Sequence, residues 1–399
     1  MDCSFAQFDV NVCWPWDLDE GSGNEGSGFV VDWGSLYEFL TRLEDRRDPR
    51  GVRYPLAWVL TLTLLAKLAG EDRLTGIAEW VEHRKEALAR AMGLSRAQAP
   101  HRTTYSRILG STLSVEDFEG MAGAFFAQSR QPGATVQLTI DGKTLRGSIG
   151  TGETRGEHLL AAYLPGEGVV LAQVAVDRKE NEITAAPRLL ETIDLRDKVV
   201  SGDAMLTQRE LSRQVVERGG DYLWSVKDNQ PQLRDDLITC FADASPSEPS
   251  LATTVEKGHG RIEQRRLWAS ADLNDYLDWP CVQQVFRLDR HTQCVKTGVV
   301  TSETVYGITS LSPEQASPQQ LLSLARGHWN IENGLHYRRD ETLREDWCHL
   351  RFGHTQRMMA AINNLVLGLL LRRGVKNVPQ QRRRYAAHWN EALKLITSV

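Results

Sequence analysis

At Thr135 the hydrophobic period of this chain switches from that of helices to that of strands. Before the switch, Leu36, Phe39, Leu40 and Leu43 stand three and four apart. Pro55 then opens an apolar helix ending near Gly70, and Leu74–Met92 and Val115–Ala127 add further helices. After the switch, TVQLTI, HLLAAYLP and VVLAQVAV are β-rich runs joined by polar or Gly-rich turns. A helix follows near Ile183–Thr192, then a strand over Lys198–Ser201, a helix over Gln208–Arg218 closed by Gly219 and Gly220, and a strand over Tyr222–Val226. The order β-β-β-α-β-α-β predicts an α/β fold with a mixed central sheet and helices on its faces. Residues 250–310 read as a β-rich insertion, Pro318–Leu343 turns helical again, and a last helix near Met358–Leu371 is apolar enough to pack on the sheet.

With 399 residues, 41% of them hydrophobic, the chain is long enough for two or three domains with real cores. The expected division is a flexible, acidic, Gly/Ser-rich tail over 1–32, an all-α amino-terminal domain over 33–130, an α/β domain over 131–375 and a basic tail over 376–399. The apolar runs are too short or too interrupted to cross a membrane, and the first 28 residues hold acids and no base, unlike a signal peptide. A cytoplasmic protein is expected. Six cysteines without CxxC or regular spacing indicate neither a disulfide framework nor a zinc ribbon.

The formal charge of −5 hides a gradient: residues 1–50 carry −7 and residues 351–399 carry +8. That asymmetry suits contact with a polyanion. In AQAPHRTTYSRILGS a turn leads into a short helix, Thr103–Leu109, whose Arg102, Tyr105 and Arg107 give it the look of a helix-turn-helix or of an ordinary helix hairpin.

Asp141, in TIDGKTLRGS, ends the first strand, and Asp203, in VVSGDAM, ends the fourth. If those strands are neighbours, both carboxylates face one cleft. Glu332, in ARGHWNIENGLHYRRDETL, is the third acid. Carboxylates from two strands and a helix are hard ligands that can hold two Mg²⁺ ions about 3.5–4 Å apart across a scissile phosphate. His328, Trp329, Glu332, His336 and Arg339 recur at helical spacing and share one predicted face, where Trp329 suits stacking on a base and His336 or Arg339 suits a phosphate. An amphipathic helix with a buried Trp has the same pattern. Lys227 in KDNQPQL, and His259, Arg261 and Arg265 in KGHGRIEQRR, are further candidate phosphate contacts, with surface ion pairing as the alternative. Lys143 and Asn333, beside the acids, complete the candidate DNA-contacting set. The chain lacks HExxH, GxSxG and Gly-rich nucleotide motifs.

Four strings in order, TIDGKTLRGS, SGDAMLTQRELSRQVVERGGDYLWSVKDNQPQL, EKGHGRIEQRR and ARGHWNIENGLHYRRDETLREDWCHLRFG, resemble the DDE transposases of bacterial insertion sequences, and among them the H-repeat-associated subgroup. Residues 36–110 look like the associated amino-terminal domain of that family. The resemblance implies an RNase H-like fold in which Asp141, Asp203 and Glu332 form the catalytic triad and bind Mg²⁺, with Mn²⁺ able to substitute. It also implies cut-and-paste movement of double-stranded DNA, acting on element ends and target, by a homodimer that associates with the bacterial nucleoid. Related enzymes carry Tyr-x2-Arg-x3-Glu-x6-Lys around the glutamate, where this chain has Ala325, His328, Glu332 and Arg339. The alternatives are a domesticated DNA-binding protein that no longer cuts and a metal-dependent nuclease without strand transfer.

Overall fold

The computed structural model describes residues 31–94, 96–128, 135–150, 152–242, 251–258 and 260–398. Two compact units emerge: an α/β unit formed by residues 131–144 and 158–336, and a helical unit formed by residues up to 130 together with 145–157 and 337–399. The acidic segment expected over 1–32 lies almost wholly outside the described residues.

Among the described residues the α/β unit is built on nine strands: β1 (Val136–Leu145, its last residue falling in the helical unit), β2 (Glu157–Leu164, its first residue likewise), β3 (Val169–Val176), β4 (Lys198–Gly202), β5 (Asp221–Val226), β6 (Leu251–Gly258), β7 (Arg261–Ser270), β8 (Gln284–Cys294) and β9 (Val300–Thr309). They form one sheet in the order β3-β2-β1-β4-β5-β9-β8-β7-β6. β4 runs parallel to both β1 and β5, and β9 returns antiparallel to β5. The β-rich stretch expected as an insertion therefore extends the central sheet by four strands. In the middle of the sheet Val199, Val200, Tyr222 and Trp224 are all buried, as strands covered on both faces must be.

The helices Glu182–Glu191, Arg209–Glu217 and Pro231–Cys240 cover this sheet. Pro318–His328 packs on β4, β6 and β7 through buried Leu321 and Leu322. Its start is set by Pro318 in the first turn and by a reciprocal cap between Ser317 and Gln320. Its far end is tied to β1: Gln137 Nε2 donates to the Leu324 carbonyl at 2.8 Å and to Ser201 Oγ at 2.9 Å. Gly327 makes room for that bond, since a Cβ there would run into the Gln137 amide.

In the helical unit, Leu56–Leu68 is buried along its whole length. It packs against Leu36–Thr41, Leu74–Glu82, Thr355–Arg372, Val378–Ala387 and Trp389–Thr397. The helix expected on the sheet, Met358–Leu371, thus belongs to this all-helical core. The basic tail expected over 376–399 is folded as well. Ala392, Leu395 and Ile396 are buried, and Arg382 donates to the Lys67 carbonyl at 3.1 Å and to Asp72 at 2.6 Å. Its bases from Arg382 onward sit on helices that also carry buried residues, which a count of charges cannot reveal. Leu74–Met92 is broken into two helices at His83 and Arg84. In the short helix Arg102–Arg107, Tyr105 is a core residue, while Arg102, Thr103 and Arg107 are exposed.

Candidate metal centre

The parallel register of β1 and β4 pairs Thr139 with Ser201. Asp141 and Asp203 each follow their member of that pair by two residues, so the two carboxylates leave the sheet at the same level. Asp203 caps the turn Ala204–Leu206, its Oδ1 accepting from the Met205 and Leu206 backbone N–H groups at 3.0 and 3.3 Å.

Glu332 opens a π-helical turn, Glu332–His336, after the Pro318–His328 helix has ended. One-turn π segments of this kind redirect side chains and recur at functional sites. Here the wider turn sets His336 between two acids: its Nδ1 is 3.5 Å from Asp141 Oδ2 and 3.7 Å from Glu332 Oε2. Asp141, Glu332 and His336 each offer a ligand atom, all within 4.8 Å of one another. Asp203 is not one of these three. Zinc sites favour imidazole and thiolate ligands, whereas a donor set dominated by carboxylates is the one that hard divalent cations select.

Burial pushes the Asp141 carboxyl up to about 7, aided by the charges of Glu332, Glu182 and, least, Asp203. Asp203 is raised too, by burial and then by Glu182, while its two backbone bonds and Lys227 pull it down. Acids crowded into a poorly solvated place, with little positive charge among them, fit a bound cation.

The remaining predicted residues divide into three groups. Arg261, Arg265, Trp329 and Asn333 line one groove of about 700 Å³ in the α/β unit, together with Arg290 and Arg326. Trp329 is 52% exposed, with the Arg290 guanidinium 5.7 Å over its ring. The groove's arginines already have carboxylate partners: Arg265 bonds Glu263 and Glu256, Arg290 bonds Glu303, and Arg326 bonds Glu256. Lys227 is exposed after β5 and acts through its charge on both Asp203 and His328; Lys143 is half-buried on β1. His259 lies outside the described residues.

Two predicted DNA contacts are corrected. His336 is buried against Asp141 and Glu332, so it belongs with the acids. Arg339 is 0% exposed and sits in the next π turn, Arg338–Thr342, within the helical unit, where it forks onto Glu345 at 2.7–2.9 Å. A guanidinium so placed is a folding element. His328 is pulled down to about 4 by burial and by Lys227, so it is neutral near pH 7.

Reasoning from spacing missed Glu182 and His158. His158 Nε2 is 2.8 Å from Glu182 Oε1, and its Nδ1 is 2.9 Å from Thr144 Oγ1. The only signal in the sequence was an acid at the first position of a capped helix, which helix dipoles favour everywhere.

Among known proteins, YhhI of Escherichia coli K12, whose name makes it an H repeat-associated candidate transposase, is 29% identical over 349 residues, 84% of this chain and 90% of the relative. A protein encoded in the dhlA 3′ region of Xanthobacter autotrophicus is 34% identical over 276 residues, 65% of this chain and 92% of the relative. A looser overlap, with TM-score 0.38 and 10% identity over 84% of this chain and 80% of the other, is with piggyBac transposase in a synaptic complex with hairpin DNA. Residues 37–126 match the DDE_Tnp_1-associated domain. Residues 133–369, more than half of the chain, match the Transposase DDE domain, and the protein belongs to that family of transposases.

Proposed function

We propose that the α/β unit is an RNase H-like catalytic domain in which Asp141, Asp203 and Glu332 hold Mg²⁺, or Mn²⁺ in its place, and act on double-stranded DNA. The observation that carries this reading is the site of Asp141: a buried carboxyl at the end of β1, level with Asp203 and within ligand reach of Glu332 and His336. A bound divalent cation would neutralise phosphate charge and lower the pKa of the attacking water or 3′-hydroxyl. Asp141 and Asp203 are fixed by the sheet, while Glu332 is fixed by the π turn and the tether of the preceding helix to Gln137. His336 braces Asp141 and Glu332 from the buried side. Lys227, Arg261, Arg265, Trp329 and Asn333 are proposed to hold the DNA, Trp329 by stacking and the bases by phosphate contact, with Lys143 beside Asp141. Residues 33–130 are proposed to help bind element ends. A homodimer on DNA supplies one centre for each of two paired ends.

The experiment uses purified full chain, Mg²⁺ and the DNA flanking its own gene, comparing wild type with Asp203→Asn for cleavage and for joining to a plasmid. Cleavage and joining by wild type alone is the expected result. A second reading, a DNA-binding protein that no longer cuts, is favoured by the turn of Asp203 Oδ1 onto its own backbone. It predicts binding without cleavage by either protein.

A further inference from the structure

We propose that Glu182 is a fourth carboxylate of this centre, held in place by His158; the inference rests on the metal-binding reading above. Glu182 is the first residue of the Glu182–Glu191 helix, whose start is fixed by reciprocal bonds between Asn181 and Thr184. Its carboxylate lies against the backbone of Gly142, the residue after Asp141. A Cβ on Gly142 would collide with Glu182 Oε1 and with His158 Nε2. A side chain at position 142 and an acid at this place are therefore incompatible, and the chain has glycine. The charge of Glu182 is felt at both Asp141 and Asp203.

His158 sets the direction of that charge. A carboxylate only accepts, so the 2.8 Å contact to Glu182 Oε1 places an imidazole proton on Nε2, while Nδ1 lies 2.9 Å from the Thr144 hydroxyl on the other side of the ring. The ring thus holds the carboxylate between two fixed contacts, the arrangement by which outer groups orient the ligands of a metal. An acid recruited only to bond His158 would gain nothing from lying beside two aspartates whose ionisation it opposes. A cation shared among the four acids offsets that opposition.

The test is Mn²⁺ binding to the full chain, followed by electron paramagnetic resonance of the free ion, in wild type, Glu182→Gln, His158→Ala and Asp141→Asn, with thermal melting of each metal-free protein. Gln keeps an oxygen for His158 to donate to and removes the charge. Glu182→Gln is expected to weaken Mn²⁺ binding about tenfold or more, and His158→Ala by about 10–100-fold, the range for loss of an outer-shell partner. The metal-free Glu182→Gln protein is expected to melt no lower than wild type, because a like charge has gone. Unchanged Mn²⁺ affinity in Glu182→Gln, with Asp141→Asn impaired, overturns the role of Glu182 and leaves the centre standing. Unchanged affinity in Asp141→Asn overturns the centre itself, and this inference with it.

Discussion

Thr139 Oγ1 and Ser201 Oγ lie 3.2 Å apart across β1 and β4, and each stands two residues ahead of an aspartate. The contact locks the register of the two strands from inside the sheet, where both residues are buried. Side chains two apart on a strand share a face, so the same lock fixes Asp141 and Asp203 relative to each other.

Asp141 makes metal-free stability depend on pH. Its folded pKa, about 7, is above the ordinary carboxyl value, so between pH 4 and 7 the native state holds a proton that the unfolded chain has lost. Raising pH through that window removes stability, a few kcal/mol in all, and the loss levels off above pH 7. The Tm advantage of Asp141→Asn over wild type should accordingly be absent near pH 4, grow to pH 7 and then stay constant. A constant difference at every pH would mean that the carboxyl is not raised. Adding Mg²⁺ should lift the wild-type Tm above pH 7 and leave the variant unmoved.

Gly327→Ala should loosen the helix that carries Glu332 into position. The added methyl meets the Gln137 amide and breaks its bonds to Leu324 and Ser201. Overpacking at such a site costs about 1–3 kcal/mol, and a thermal melt should fall by about 2–4 °C for each kcal/mol. Cleavage should drop at temperatures where the variant is still folded.

Lys227→Ala tests an exposed base whose charge acts on Asp203. Removing one phosphate contact should lower DNA affinity for all sequences alike and reduce the slope of log K against log salt by about 1. The melting curve should be unchanged, since the side chain is exposed.

Glu345→Ala should be far more harmful to folding than any change in the groove. It strands the buried Arg339 guanidinium and removes the acceptor of Asn363 Nδ2, 2.9 Å away. Breaking a buried pair costs about 3–5 kcal/mol, which a denaturant titration would read as a large fall in midpoint.

The pairing of Asp141 with Asp203 was legible because it depends on strand period and strand order, and both leave a pattern in the residues between Thr135 and Val226. Arg339 was misplaced for a definite reason. The spacing rule assumed 3.6 residues per turn, and two π turns, Glu332–His336 and Arg338–Thr342, interrupt that count. Glu182 and His158 are far apart in sequence from Asp141, and what unites them is the missing side chain of Gly142. Among the carboxyl-terminal bases Arg382 is a core residue bonded to Asp72, which a count of charges does not reveal.

The helical unit is assembled from chain segments separated by most of the sequence, and this orders events at the ribosome. The Leu56–Leu68 helix has no polar face to show to water, yet three of the helices that cover it are made only from residue 355 onward. At about 5–20 residues per second, that helix waits for on the order of tens of seconds before its partners exist. The nascent chain therefore carries an apolar rod only partly covered, by Leu36–Thr41 and Leu74–Glu82, until the later helices are made. A chain that stops short of residue 355 lacks all three of those later helices and leaves the faces they cover bare.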